Sequence, residues 1–194
     1  MHSVMKKVLA AILGAALFIS TPVYAAPSPV TPNQTVSGEQ RKATTVDNAK
    51  VENTNYPYEV TVDTREDGTA TFTSVGKTTE ERVKIPNNVT VSGVEYLVTE
   101  IKAEAFANAS ETEKVSIPGS IQVISKNAFS GAKKLKTIRF YGKKSIKVEK
   151  GAFKGLKTSK MTFKVSKKKM SKKQFKKFKK ALEKAGFKGK IERV

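Results

Sequence analysis

The residue types that most often carry out enzymatic chemistry are scarce in this chain of 194 residues. It has no cysteine, and its single histidine is His2. Without these side chains, Ser-His-Asp catalysis, Cys-His catalysis and zinc sites with nitrogen or sulfur ligands are excluded from the rest of the sequence. No P-loop and no Gly-x-Gly-x-x-Gly motif is present, so a nucleotide-phosphate cradle is not indicated.

Carboxylates are the remaining catalytic candidates. Mechanisms that use two carboxyl groups need them about 5–10 Å apart beside a cleft. The available groups are Glu66 with Asp67, Glu80 with Glu81, and Glu100 with Glu104. The first pair falls on the tip of a predicted hairpin and the others on solvated edges. We therefore predict that the chain is not an enzyme and has no metal site and no cofactor.

Basic side chains offer a different chemistry, which is the binding of anions. The net charge of the whole chain is +20, and the basic residues are concentrated in its C-terminal third. Residues 133–194 contain 25 Lys and Arg but only 3 Asp and Glu. Such a field attracts polyanions and weakens steeply with salt. The same lysines are also compatible with a surface that only keeps the protein in solution, and the sequence leaves both interpretations open.

The N-terminal segment is typical of a signal peptide. Lys6 and Lys7 precede an apolar run at 8–19, and Val23-Tyr24-Ala25 places small residues at a cleavage site. Twelve apolar residues are too few to cross a hydrocarbon core of about 30 Å. We predict a signal peptide at 1–25, a secreted or cell-surface-associated bacterial protein, and no membrane span after cleavage. Residues 26–55, rich in Pro, Thr, Ser and Asn, predict a flexible linker.

An internal repeat dominates the middle of the chain. The phenylalanines Phe106, Phe129 and Phe153 follow one another at intervals of 23 and 24 residues, each after an alanine. A period of 23 lies within the range of leucine-rich repeats, whose units bury a common core by stacking. The three rings are predicted to lie in file. The pairs predicted to occupy adjacent parallel strands are Val83/Ile85, Val115/Ile117, Ile138/Phe140 and Met161/Phe163.

The segments that flank the repeat predict its ends. Residues 56–79 alternate apolar and polar side chains around an Asp-Gly turn, which predicts a β-hairpin cap. Residues 165–194 predict a basic cap that consists of a helix after Ser171 and a last strand. The predicted fold class is α/β: a short leucine-rich-repeat solenoid of parallel strands over 80–164, with an N-terminal β-hairpin cap and a C-terminal α-helical cap.

The pattern of a short strand, Ile-Pro and a later Asn-Ala-Phe with glycine, over about residues 80–165, resembles the BspA-type leucine-rich repeats of bacterial surface and secreted proteins. The resemblance implies a curved right-handed solenoid and, in some members, adhesion to host matrix or cell-surface proteins. It does not identify a ligand. This chain has only three to four units, fewer than the longer adhesins.

The outward positions of the predicted strands are the candidate binding surface. Arg139 and Tyr141 are the first choices, because Arg and Tyr are enriched at binding hot spots. The expected partner is a protein; the alternative is a polyanionic surface ligand held by the Lys-rich C-terminal third. No specific nucleic acid is expected, and a monomer is expected. The candidate ligand-binding residues are Lys84, Lys114, Ser116, Thr137, Arg139, Tyr141, Lys160, Thr162 and Lys164.

Overall fold

The computed structural model describes residues 41–52 and 55–194. The predicted signal peptide and the first part of the predicted linker lie outside the described residues. Within the described part of the chain, no helix is both long enough and apolar enough to cross a membrane.

Two sheets and one α-helix make up the described fold. The seven-stranded sheet contains β1 Ala49–Lys50, β2 Val60–Thr64, β3 Thr69–Val75, β5 Asn88–Val91, β6 Val94–Ile101, β8 Val123–Ile124 and β10 Lys147–Val148. The five-stranded sheet contains β4 Arg82–Lys84, β7 Lys114–Ile117, β9 Thr137–Phe140, β11 Thr162–Val165 and β12 Lys190–Arg193. The helix α1 spans Lys172–Lys184, and a 3₁₀ helix spans Thr158–Lys160.

The five-stranded sheet is parallel throughout, in the order β12-β11-β9-β7-β4. Successive side chains of a strand point to opposite faces, and the apolar members of each strand are the buried ones. The predicted parallel strands and leucine-rich-repeat fold class are therefore confirmed. One inward row runs across the sheet through Val83, Val115, Ile138, Phe163 and Ile191.

The predicted register of the last repeat strand is wrong. Ile138 pairs with Phe163 rather than Met161, and Phe140 pairs with Val165. The last unit has one extra residue before Phe153 and one more after it, which makes the strand-to-strand interval 25 residues instead of 23. A shift of two residues leaves every side chain on its original face. Met161 is consequently buried as well, at 2 % exposure.

The phenylalanine rings form the file that the repeat predicts. The ring centroids of Phe106 and Phe129 are 5.0 Å apart, and those of Phe129 and Phe153 are 5.6 Å apart. The file is longer than predicted, because Phe72 packs 5.9 Å from Phe106 and Phe187 packs 5.2 Å from Phe153. All five rings belong to one buried core.

A second regularity lies two residues before each repeat phenylalanine. Glu104, Asn127 and Gly151 all have left-handed backbone conformations, with φ of 62°, 60° and 83°. Backbone N–H groups link these positions in series: Glu104 donates to the Asn127 carbonyl at 3.3 Å, and Asn127 donates to that of Gly151 at 3.0 Å. Gly151 in turn donates to the Ala185 carbonyl at 3.1 Å. The Ala185-Gly186-Phe187 segment therefore takes the place of the next Ala-Phe motif.

Two antiparallel hairpins precede the stacked units. The hairpin of β2 and β3 turns at Gly68, whose φ is 78°, and β3 then pairs in parallel with β6. The hairpin of β5 and β6 turns at Ser92 and Gly93, both with positive φ, which is the geometry of a type I′ turn. The hairpin of β2 and β3 lies within residues 56–79, the range in which the sequence predicts a hairpin.

The predicted linker ends earlier than residue 55. Residues 41–52 lie against the sheet: β1 pairs with β2, and the Thr44 amide donates to the Tyr96 hydroxyl at 3.0 Å. The Thr64 hydroxyl donates to the Thr44 carbonyl at 2.7 Å, and Ala49 is buried. The polar composition of residues 41–52 does not indicate that they are ordered. Backbone pairing and hydroxyl contacts hold them in place, instead of a run of apolar side chains.

The helix α1 covers the apolar side of the last strands. The Ser171 hydroxyl accepts the Gln174 amide at 3.3 Å and caps the helix. The Gln174 side chain accepts the Ser145 amide at 3.1 Å, which ties the first turn to the loop after β9. The buried Phe178 ring packs 5.1 Å from Phe140 and 5.4 Å from Phe163, measured between ring centroids.

Candidate ligand-binding surface

The outward side of the five-stranded sheet, here called the sheet face, carries two rows of polar side chains. Pairing registers place Arg82, Lys114, Thr137, Thr162 and Lys190 in the first row. The second row contains Lys84, Ser116, Arg139, Lys164 and Glu192. Neighbouring strands are about 4.8 Å apart, so these side chains are within mutual reach.

Most of the predicted binding residues lie together on this face. A shallow depression of about 400 Å³ is lined by Lys114, Ser116, Thr137, Arg139, Tyr141 and Lys164, with Arg82 and Val115. Lys84 and Thr162 lie on the same face beside it. Arg82 was missed, although its place two residues before Lys84 and one before the buried Val83 already indicates an outward position.

Lys160 does not belong to the sheet face. It is the last residue of the 3₁₀ helix Thr158–Lys160, and β11 begins only at Thr162. The two-residue register shift of the last unit explains this error, because it moves the start of the strand toward the C-terminus. Lys160 instead lines a separate depression with Phe153, Gly155 and Lys188.

Five cations of the sheet face form no ion pair. Among the described residues, no ion pair involves Arg82, Lys84, Lys114, Arg139 or Lys164. The single carboxylate in the two rows is that of Glu192, and it is already paired with Lys190. A hydrogen bond from Lys190 holds the pKa of Glu192 below its usual range. The face is therefore a positively charged surface interrupted by three hydroxyls.

The opposite sheet distributes its charges differently. Lys102 Nζ is 2.6 Å from an Asp63 carboxylate oxygen, and Arg65 is 3.3 Å from Glu100. Lys147 is 2.9 Å from Glu149. Basic side chains of the seven-stranded sheet are thus paired with carboxylates, whereas the five cations of the sheet face are not.

The strand that begins the sheet face is held by a buried tyrosine. The Lys84 amide donates to the Tyr58 hydroxyl at 2.8 Å, and that hydroxyl donates to the Lys84 carbonyl at 3.1 Å. Burial raises the pKa of Tyr58 to about 12, so the hydroxyl keeps its proton and its donor role. The Tyr58 contact fixes β4, and with it Arg82 and Lys84, against the rest of the molecule.

A larger groove, here called the edge groove, lies at the carboxyl end of the parallel strands. Its volume is about 790 Å³. The segments that follow β4, β7, β9 and β11 all contribute, because parallel strands end at one edge of their sheet. The lining residues are Asn87, Leu97, Gly119, Ser120, Ile121, Gln122, Tyr141, Lys143, Lys144, Ser145, Ile146, Lys147 and Lys169. Apart from Tyr141, none of these residues is predicted from the sequence, since loops of different repeats share no linear motif.

Two of the candidate carboxylates, Glu100 and Asp67, accept local hydrogen bonds. Glu100 accepts from Arg65 and from the Ser125 hydroxyl, the latter at 2.9 Å. Asp67 accepts the amide and hydroxyl of Thr69 within its own turn. Among the described residues, no group of three or more His, Cys, Asp or Glu is arranged to hold a metal ion.

Comparison with known proteins places this geometry in a family. Residues 99–194 match the model of the BspA type leucine rich repeat region, in six copies. The matched region includes α1 and β12, in agreement with the continuation of the stack through Phe187. No curated protein matches the sequence.

Solved structures of bacterial leucine-rich-repeat proteins are similar to parts of the chain. One from Bacteroides capillosus is 24% identical, with a TM-score of 0.48 over 64% of this chain and 88% of its own. A leucine rich cell surface protein from Faecalibacterium prausnitzii is 26% identical, with a TM-score of 0.46 over 59% of this chain. This chain spans about a third (32%) of the length of the latter. On the family match and the observed repeat, the chain belongs to the BspA-type leucine-rich-repeat family.

Proposed function

We propose that this chain is a non-catalytic binding module that acts at the bacterial surface or outside the cell, and that its sheet face binds an acidic patch on a protein ligand. The observation that carries the proposal is the group of cations without ion-pair partners, Arg82, Lys84, Lys114, Arg139 and Lys164, on one rigid face. Family membership and the signal-peptide pattern of the N-terminus support the location.

The arrangement of the sheet face suits a protein ligand. Arg139 and Lys164 lie side by side on β9 and β11, as do Arg82 and Lys114 on β4 and β7. Like charges at this separation repel one another, and an acidic partner relieves the repulsion while it gains charge-assisted hydrogen bonds. Because strands hold the backbone of these residues, little backbone freedom is lost on binding.

A second candidate function is the electrostatic binding of polyanions by the Lys-rich C-terminal third. It is favoured by helix α1, which exposes a set of lysines on its solvent side. They are Lys172, Lys173, Lys176, Lys177, Lys179, Lys180 and Lys184. Only Lys179 has a carboxylate within ion-pair distance, that of Glu183 at 3.9 Å, among the described residues.

Matched charge reversals separate the two candidates. The full chain is tested by surface plasmon resonance against purified extracellular-matrix proteins and against heparin, at low and physiological salt. Arg139→Glu with Lys164→Glu alters the sheet face, and Lys176→Glu with Lys180→Glu makes the same charge change on α1. We expect the first variant to weaken protein binding by at least about tenfold and the second to change it little.

The contrary pattern would favour the second candidate. If the α1 variant loses binding as strongly as the sheet-face variant, and if affinity falls steeply with salt for every ligand, the attraction is a diffuse polyanion effect. If neither variant changes the binding of any ligand, neither the sheet face nor α1 is the binding surface.

A further inference from the structure

We infer that the edge groove is a second binding site, for an acidic oligosaccharide that bears carboxylate or sulfate groups. This site goes beyond the proposed protein-binding function of the sheet face. The two surfaces meet at Tyr141, which lines both the groove and the sheet-face depression. The two surfaces share no charged residue, so the charge of one surface can be altered without changing the other.

The charge of the groove selects an anion. None of its lining residues is acidic, and four are lysines. Lys147 is paired with Glu149, whereas Lys143, Lys144 and Lys169 have no ion-pair partner among the described residues. Lys143 and Lys144 are both exposed. Each lysine presents donors that suit carboxylate or sulfate oxygens.

Close packing of the loops brings these lysines into place. The Tyr141 amide donates to the Ile117 carbonyl at 3.0 Å, which extends the β7–β9 pairing one residue beyond the strand. Gly142 then passes so closely over the Phe140 ring that a Cβ would overlap it. The chain therefore turns tightly after Tyr141, and the next residues, Lys143 and Lys144, line the groove.

The rest of the lining suits a sugar. Leu97 is 39 % exposed, unusual for a leucine here, and Ile146 is half-buried, so both offer apolar contact to the C–H faces of a sugar ring. Asn87 and Gln122 line the groove with amides that both donate and accept hydrogen bonds. Lys169 Nζ lies 5.6 Å from the centre of the Tyr141 ring and covers one of its faces, which disfavours base stacking and hence a nucleic acid.

A buried polar atom without a partner belongs to a residue that lines the groove. The Ser120 hydroxyl is buried and has no hydrogen-bond partner in the protein. Such a group costs stability when it stays unpaired, and a hydroxyl or anionic oxygen of a ligand would satisfy it. Gly119, beside it, packs against the backbone of Tyr141, where a Cβ would lie 3.2 Å from the carbonyl oxygen. The position of Ser120 is thereby fixed.

The test is a calorimetric titration of the full chain with a short heparin oligosaccharide at physiological salt. Lys143→Gln with Lys144→Gln is compared with Lys42→Gln and Lys77→Gln, an equal loss of charge at two exposed lysines that lie outside the groove lining and outside the C-terminal third. We expect the groove variant to bind about tenfold more weakly and the control variant to bind as the parent does. Equal losses in both variants, or none in the groove variant, would overturn the proposal.

Two further measurements test the chemistry of the ligand. An uncharged cello-oligosaccharide and a short polyphosphate serve as comparison probes, and we expect each to bind the groove more weakly than the heparin fragment. If the cello-oligosaccharide bound as tightly as the heparin fragment, the groove would not recognise charge. If the polyphosphate bound as tightly, the groove would not recognise the sugar. Because Arg139 and Lys164 lie outside the groove, their double variant should keep oligosaccharide binding even where protein binding is lost.

The variant Ser120→Ala gives a test that does not depend on charge. We expect it to weaken oligosaccharide binding several-fold without lowering the thermal stability, since the hydroxyl makes no hydrogen bond within the protein. Lower stability with unchanged affinity would mean that the hydroxyl is structural, and would count against the site.

Discussion

The rings of Phe129 and Phe153 lie parallel, with an interplanar angle of 1° and centroids 5.6 Å apart. The two residues come from successive repeat units and are both buried. Their stacking shows that one unit supplies the apolar cover of the next. The stability of the molecule should therefore be sensitive to the loss of any ring in the file.

Replacement of a central ring should be costly. We expect Phe129→Ala to lower the free energy of unfolding by about 3–5 kcal/mol, because the change removes a fully buried ring and leaves a cavity between two others. Urea unfolding followed by circular dichroism measures the loss. Phe175→Ala on the half-buried side of α1 is the control and should cost clearly less. A melting temperature that Phe129→Ala shifts by a degree or less would contradict the buried file.

The left-handed row predicts opposite effects at equivalent positions. Glu104 is exposed and has a φ of 62°, so Glu104→Asn should raise the free energy of unfolding by roughly 0.5–1 kcal/mol, as asparagine tolerates this conformation better. Gly151→Ala should lower it by about 1 kcal/mol, although a Cβ there would meet only Lys126 Cγ at 3.6 Å. If Glu104→Asn and Gly151→Ala changed the free energy of unfolding in the same direction, the backbone explanation would be refuted.

Gly131 should tolerate no side chain for a different reason. Its φ is not positive, but a Cβ at this position would overlap the backbone of Ala107 in the preceding unit. We expect Gly131→Ala to destabilise the protein by about 3 kcal/mol, at the upper end of the range for overpacking. The measurement is again urea unfolding, and Gly68→Ala on the open β2–β3 turn is the comparison, where the strain is confined to the turn itself.

The protein should lose stability in acid, in part through Asp63. Burial raises the pKa of this carboxyl, but hydrogen bonds from the Asn48 amide and Lys102 and the attraction of nearby cations outweigh it, so the pKa falls below its ordinary 3.8. A carboxyl with a lowered pKa in the folded state stabilises the protein above its unfolded-state pKa. That contribution is lost as the pH falls through the folded-state pKa.

We therefore expect Asp63→Asn to be less stable than the parent near neutral pH and to lose less stability on acidification. The free energy of unfolding, measured between about pH 6 and pH 2, gives both slopes. Parallel curves for parent and variant would show that Asp63 does not contribute to the acid sensitivity.

The fold and most of the sheet face are predictable from the sequence, because both depend on short-range periodicity. Alternation within a strand identifies the outward residues Ser116, Thr137 and Arg139 from the neighbours on either side. Periodicity did not place Met161 and Phe163, because a shift of two residues preserves the face and so leaves no mark on the apolar pattern. It also missed Phe187, whose place in the file depends on a helix that replaces the return segment.

The amino-acid sequence by itself determined that this protein is a stack of repeat units with a phenylalanine file and a positively charged C-terminal third. The tertiary structure alone decided which lysines lie together. Lys144 and Lys169 come from the loops after β9 and β11, and Ser120 comes from the loop after β7. These residues line one groove only because parallel strands end at the same edge. Periodicity is a local property of the chain, whereas a binding site formed by the loops of several units depends on the register in which those units stack.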